Sequence, residues 1–116
     1  MLIKKPSDVA IEPVQMEDAE GVTVQVLLGP KDEVPTFAMR MFELAPDGHT
    51  PYHSHPFEHE VIVMSGQIGI VASGNNHPLN IGDVILVEPD EIHQFRNLSD
   101  TDSAKFICMV PKEYQR

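Results

Sequence analysis

The 116-residue sequence has no tryptophan, and its only cysteine is Cys108. A single cysteine excludes an internal disulfide and is compatible with a reducing compartment. No apolar run approaches the roughly 18 residues that a membrane-spanning helix needs, and the apolar run near the start, MLIKKPSDVA, is too short for a secretory signal. The sequence therefore predicts a soluble, cytoplasmic protein without membrane association.

Basic residues are also scarce, with 8 Lys and Arg against 18 Asp and Glu, for a net charge of −10. Nucleic acids and anionic membrane surfaces are bound by clustered positive side chains, so this charge argues against both as partners. A small-molecule ligand stays open, because one local basic residue can outweigh a distant acidic surface. The simplest role of the acidic surface is solubility.

Ten prolines and seven glycines divide the chain into short segments, none of which keeps a helical period of 3.6 residues. Alternating or β-branched segments predict strands at 22–28, 36–44, 67–72 and 104–111. The tripeptide Pro46-Asp47-Gly48 is a turn signal that should end the second of these strands.

About nine short strands of this kind are typical of an antiparallel sandwich or barrel. With no linker or internal repeat, we assign residues 1–116 to a single domain, with an N-terminal arm at about 1–21 and a barrel at about 22–112. The segment SGNNHP, residues 73–78, is predicted to be a turn.

The segment HSHPFEHE, residues 53–60, contains half of the six histidines. Residues i and i+2 of a strand point to the same face, so His53 and His55 can converge, and a bend at Pro56 would bring His59 back to them. His93 begins a later strand and can meet them across a small barrel. Imidazoles suit Mn, Fe, Co, Ni, Cu and Zn, and four of them leave one or two coordination positions open to water or substrate. The spacing alone leaves open whether these histidines are metal ligands or ordinary polar residues.

Two motifs carry a resemblance to a known family. The first motif has His-x-His at His53 and His55, followed by three residues, position 59, six residues and Gly66. The second motif has Gly82, then Pro89 as the second residue of a turn, and then His93 and Asn97. Fifteen residues separate Gly66 from Gly82. In order and spacing, the chain resembles the cupin superfamily.

The departures from the family pattern are specific. His59 replaces the usual glutamate of the first motif, Asp47 replaces its first glycine, and Glu88 and Asp90 stand where Pro and Gly are usual. The chain is similar to small one-domain bacterial cupins with a four-histidine, manganese-type site, and more loosely to small cupins of uronate breakdown.

The resemblance implies an all-β fold, a double-stranded β-helix or jelly-roll-like barrel with a metal ion in one mouth. It implies His53, His55, His59 and His93 as ligands of one divalent ion, with Mn favoured over Fe, Ni, Zn, Cu and Co. It also implies a homodimer in which N-terminal residues pack across the interface.

Five further residues are predicted to line the pocket, namely Arg40, Phe42, Phe95, Phe106 and Cys108. Phe95 shares parity with His93, and Phe106 and Cys108 share one face of the last strand. Ordinary core packing is the alternative for these three. Arg40 interrupts an apolar strand and either points to solvent or binds an anion in the cavity.

The expected function is a metal-dependent enzyme acting on a small organic substrate, by dioxygenase-like oxidative cleavage or by sugar-acid isomerisation. A non-catalytic, metal-dependent protein that binds a small ligand such as a sugar is the alternative, and a sensor module is a third. No catalytic residue is assigned. An acid or base beside an open coordination position would favour an enzyme, whereas a wall of Phe42, Phe95 and Phe106 leaves oxidation or binding.

Overall fold

The computed structural model describes residues 1–115, which form nine strands and three short 3₁₀ helices. The strands are β1 (Glu12–Pro13), β2 (Glu20–Leu28), β3 (Phe37–His49), β4 (His59–Ser65), β5 (Ile68–Ala72), β6 (Asn75–Pro78), β7 (Val84–Val87), β8 (His93–Asn97) and β9 (Ala104–Pro111); the helices are Pro6–Asp8, Pro30–Asp32 and Lys112–Tyr114. None of these described helices is long and apolar enough to cross a bilayer. The cytoplasmic location stays a prediction.

All nine strands belong to one curled antiparallel sheet with the order β6-β5-β8-β3-β9-β4-β7, while β2 pairs with β3 and β1 with β2. The long β3 pairs with both β2 and β9 along most of its length, and its last residue, His49, pairs with Arg96 of β8. This is the all-β double-stranded β-helix, a jelly-roll-like barrel, that was expected. It brings the ends of β3, β4 and β8 to the same mouth of the barrel.

The predicted turn at Pro46-Asp47-Gly48 is wrong, because β3 continues through these residues to His49. Asp47 adopts a left-handed conformation with φ 60°, which bends the strand without ending it. Asn97, the asparagine of the second motif, is buried, and its Nδ2 donates to the carbonyls of Leu44 and Ala45 just before the bend. Tertiary hydrogen bonds thus override the local turn signal.

The predicted turn at 73–78 is also wrong for most of its length, because β6 occupies Asn75–Pro78. The corner lies earlier, at Ser73 and Gly74, whose φ values are 50° and 79°. Two consecutive residues in the left-handed region make the tight turn that hairpins favour.

Alternation along the strands builds the core. In β4, Val61 and Val63 are buried, whereas Glu60 between His59 and Val61 is exposed, as the parity predicted. In β9, Phe106 is 2% exposed and its ring stacks on Phe95 at 4.6 Å between centroids. These aromatic rings fill the barrel below the mouth, and such pairs add about 0.5–1.5 kcal/mol beyond the area they bury.

Candidate metal centre

Four histidines meet at the mouth of the barrel. His59 begins β4 and His93 begins β8, while His53 and His55 lie in the segment between β3 and β4. His53 is held against His93 by a two-residue bridge, in which each N–H donates to the other residue's carbonyl at 3.1 and 2.9 Å. The sheet itself therefore joins two histidines that are distant in sequence.

The side chains converge as well. The ligand atoms of His53, His55 and His93 all lie within 4.8 Å of one another. His59 Nε2 lies 2.5 Å from His55 Nε2, and the ring centroids of His59 and His93 are 5.3 Å apart. The structure thus groups His53, His55 and His93 with the spacing of a metal site, and His59 lies beside this group in contact with His55.

Two of the rings have their tautomers set by backbone carbonyls. His55 Nδ1 lies 2.8 Å from the carbonyl of Phe57, and His93 Nδ1 lies 2.8 Å from the carbonyl of Glu91. A carbonyl only accepts, so Nδ1 of each ring carries the proton and donates. The free lone pair of each ring is therefore on Nε2, the arrangement that metal-binding histidines use.

Burial keeps these rings in the form that binds metal. Desolvation lowers the pKa of His53 and of His55 below the usual value. Desolvation, followed by the nearby Arg40 guanidinium, lowers the pKa of His59 to about 2. Neutral imidazoles are the ligand form, so no proton has to leave these three rings at neutral pH before an ion can bind.

The cluster opens into a cavity of about 220 Å³. The predicted pocket residues Arg40, Phe42, Phe95, Phe106 and Cys108 all line it, together with the four histidines. Of all its lining residues within 1–115, none is an aspartate or a glutamate. The donor set is thus wholly nitrogen, which fits a divalent first-row transition metal better than Ca²⁺ or Mg²⁺.

Residues 40–110 match the Cupin domain family (Cupin_2). The chain is a cupin. A search of functionally curated proteins gave no match. Among solved structures, the polyketide cyclase RemF from Streptomyces resistomycificus is similar at 29% identity and TM-score 0.91, over 100% of this chain and 82% of that one.

Two further cupin structures resemble this one. A cupin 2 domain-containing protein from Halorhodospira halophila has 28% identity and TM-score 0.77, over 91% of this cupin and 78% of that chain. A predicted oxalate decarboxylase from Thermotoga maritima has 21% identity and TM-score 0.82, over 96% and 99% of the two chains, which supports the fold alone.

Arg40 enters the cavity of this cupin behind His59. Its NH2 group donates to Cys108 Sγ at 3.0 Å and lies 3.3 Å from His59 Nδ1, and its Cζ lies 4.9 Å from the centroid of the Phe42 ring. Burial raises the pKa of the Cys108 thiol, although Arg40 opposes this. The sulfur is therefore a neutral hydrogen-bonding partner and is not activated as a nucleophile.

Sequence reasoning missed a stack of rings at the cavity mouth. The ring of Phe57 lies 4.0 Å from that of His55 and 3.9 Å from that of Tyr114, with interplanar angles of 8° and 15°. Val14 and Met16 of the N-terminal arm also line the cavity. The only sequence signal was the position of Phe57 between two motif histidines, whereas nothing local points to Tyr114.

His49 and His77, the two remaining histidines, have different surroundings. His77 lies on β6 and is exposed. The His49 side chain is only 15% exposed, and its Nδ1 lies 3.2 Å from Gln94 Nε2, a donor. Neither residue lines the metal cavity.

Proposed function

We propose that this cupin is a metal-dependent enzyme that acts on a small, flat, oxygen-bearing organic substrate. In this proposal His53, His55, His59 and His93 hold one divalent transition-metal ion, with Mn first among the candidates. The proposal depends chiefly on one observation: four converging imidazoles open into a cavity that has aromatic walls and no carboxylate among the described residues.

A bound ion would supply Lewis-acid polarisation of a substrate oxygen. The protein's own residues perform the remaining tasks. The carbonyls of Phe57 and Glu91 orient two of the rings, and Phe42, Phe95 and Phe106 exclude water and present flat apolar surfaces to the substrate. Excluding water strengthens every electrostatic contact inside the cavity.

The lining supports one of the reaction classes that the sequence left open more than the other. Sugar hydroxyls need polar partners, and an apolar wall leaves them desolvated and unpaired. This disfavours sugar-acid isomerisation. The likeness to a polyketide cyclase over the whole chain supports a polyketide-type aromatic or enolic substrate, with cyclisation as the first reaction class and dioxygenase-like cleavage as the second.

One observation favours the alternative of a non-catalytic binding protein. General-base catalysis is often performed by a carboxylate, and none of the described residues places one in the cavity. If the four histidines are all occupied by an ion, proton transfer would fall to Tyr114 or Cys108, which also line the cavity, or to water or the substrate.

Turnover assays separate these candidates. Metal-loaded protein is incubated with phenolic polyketide-type compounds and with uronates, each with and without dioxygen. Turnover of the phenolic compounds without dioxygen supports cyclisation, and turnover that needs dioxygen supports oxidative cleavage. Binding without turnover supports the binding protein. Turnover restricted to the uronates would contradict the proposed substrate class.

We also propose a homodimer, supported by an apolar outer surface that we call the β4/β7/β9 face and that differs from the N-terminal interface implied by the family resemblance. Its lining has one charged residue, Glu60, and is otherwise apolar; Val84 and Leu86 are 77% and 58% exposed, and Ile62, Ile107 and Met109 are half-buried. Apolar surface of this kind marks interaction sites. Two chains with a net charge of −10 each would repel least through such a weakly charged face.

A further inference from the structure

The charges around the cavity are unbalanced. Arg40 is the only Lys, Arg, Asp or Glu among its described lining residues, although the chain as a whole has ten more acids than bases. Within residues 1–115, no carboxylate lies close enough to Arg40 to form an ion pair. Among the described residues of this acidic protein, Arg40 is thus a single cation without an ion-pair partner inside the histidine-lined cavity.

The hydrogen-bonding capacity of Arg40 is largely unused. A guanidinium has five N–H donors. The Nη2 group donates to Cys108 Sγ and lies 3.3 Å from His59 Nδ1, whereas the buried Nε–H has no hydrogen-bond partner among the described residues. Arg40 is partly buried, and a partly desolvated cation without a counter-charge destabilises the protein unless something else pairs with it.

The position of Arg40 follows from strand geometry and not from chance packing. It pairs with Cys108 of β9 on one side and Val26 of β2 on the other, in the middle of the sheet. Met39 and Met41 on either side of it alternate to the other face of β3. A solvated surface arginine would need the opposite parity.

An ion held by the histidines increases the imbalance. Neutral imidazoles do not offset the charge of a divalent cation, so a metal-loaded cavity has two positive centres and no fixed negative one. An anionic oxygen on the ligand stabilises both centres at once.

We infer that the cavity selects anionic ligands, and that the Arg40 guanidinium binds their anionic oxygen. The inference rests on the proposed function only in placing the ligand in the same cavity. The ligand class is a flat aromatic or enolic molecule that bears a carboxylate, phenolate or enolate. Aromatic rings line the cavity, and its volume of about 220 Å³ exceeds the roughly 150 Å³ that holds one benzene.

Three probes of nearly identical shape test the charge requirement: benzoate, benzamide and benzamidinium, which carry charges of −1, 0 and +1. Their binding is measured by calorimetry, with metal-loaded and with metal-free protein. We expect benzoate to bind at least about tenfold more tightly than benzamide, as a charge-assisted hydrogen bond would provide, and benzamidinium not to bind. The preference should persist without metal.

The variants are Arg40→Gln and Arg40→Lys, with Arg96→Gln as the matched control. Arg96 is exposed on β8 outside the cavity, so its replacement changes the net charge equally. Arg40→Gln should bring benzoate to within about threefold of benzamide, Arg40→Lys should keep part of the preference, and Arg96→Gln should keep all of it. Because Arg40 Nη2 lies 3.3 Å from His59 Nδ1, the metal content of every variant is measured, and the preference for benzoate is compared in metal-free protein.

The inference is overturned if the unmodified protein binds benzamide or benzamidinium as tightly as benzoate, or binds none of the probes at millimolar concentration. It is also overturned if folded Arg40→Gln keeps the preference for benzoate. These outcomes are independent of the proposed function: a protein that binds no metal but prefers benzoate through Arg40 refutes the metal-dependent enzyme and leaves the anion site intact.

Discussion

The Nδ1 atom of His59 lies 2.8 Å from the Sγ atom of Cys108, two residues that belong to neighbouring strands β4 and β9. This contact fixes the Nδ1 side of the imidazole ring, so that the opposite nitrogen, Nε2, faces His55. Since Cys108 is 1% exposed, the orientation of His59 is fixed by the core of the barrel. The residue that departs from the usual cupin motif therefore lies beside the three-histidine cluster in a fixed orientation.

Replacing His59 with alanine should weaken metal retention. We expect a loss on the order of 100-fold or more in affinity, because deleting a ligand should exceed the roughly 10–100-fold effect of altering a ligand's supporting partner. The measurement is metal content after dialysis against a chelator of graded concentration. His77→Ala, an exposed histidine on β6, is the control and should match the unmodified protein. Equal occupancy in His59→Ala would remove His59 from the ligand set.

The free energy of unfolding of the metal-free protein should decrease as the pH is lowered below about 6.5. His59 has its pKa lowered to about 2 by burial and by Arg40, whereas the unfolded chain takes up the proton near the ordinary value of 6.5. The unfolded state therefore binds more protons below pH 6.5. The contribution is fully present above pH 6.5 and is lost at about 1.4 kcal/mol per pH unit as the pH falls toward 2.

Denaturant unfolding at pH 7.5, 6.5 and 5.5 measures this dependence. His59→Gln should reduce the slope of unfolding free energy against pH by about one proton, and His77→Gln should leave it unchanged. Identical slopes in the unmodified protein and in His59→Gln would show that His59 does not titrate as its burial requires.

Phe106 should be the aromatic residue on which stability depends most. Its ring lies between Phe95 at 4.6 Å and Phe42 at 5.2 Å, and it is 2% exposed. Phe106→Ala should lower the free energy of unfolding by about 3–5 kcal/mol, the usual cost of deleting a buried phenylalanine. Phe37, on the same sheet but 62% exposed, is the matched control, and Phe37→Ala should change stability by no more than about 0.5 kcal/mol. Equal effects of the two would contradict the assigned core.

The β4/β7/β9 face should hold the dimer together. Leu86→Glu places a charge on this face, and we expect it to give a monomer in sedimentation velocity experiments where the unmodified protein is dimeric. Ile81→Glu is the control, because Ile81 is 66% exposed but lies outside the face. A monomeric unmodified protein, or a dimer that Leu86→Glu leaves unchanged, would refute the proposed interface.

Local sequence was sufficient where one rule acts alone. The apolar, β-branched and aromatic composition of β9 predicted a strand, and its bounds, 104–111, were predicted as they are observed, with buried and half-buried residues alternating along it. The family resemblance carried by the two motifs predicted that His53 and His93 meet, and the structure places them in one bridge.

The missed features depend on contacts between distant residues. The course of β3 through Asp47 is set by Asn97, half the chain away, whose side chain binds the carbonyls before the bend. The stack of Tyr114 on Phe57 joins the last short helix to the histidine segment. Neither pairing leaves a periodic signal in the sequence, so neither could be inferred from it.

The most direct test of the metal centre is the metal content of untagged protein, purified without added metal or chelator, by inductively coupled plasma mass spectrometry. We expect about one divalent first-row transition-metal ion per chain, with Mn the first candidate, and a strong loss of that ion in His53→Ala and His93→Ala. Protein that contains no such metal, and that binds none when titrated with Mn²⁺, Fe²⁺, Ni²⁺, Zn²⁺, Cu²⁺ or Co²⁺, would contradict the metal centre.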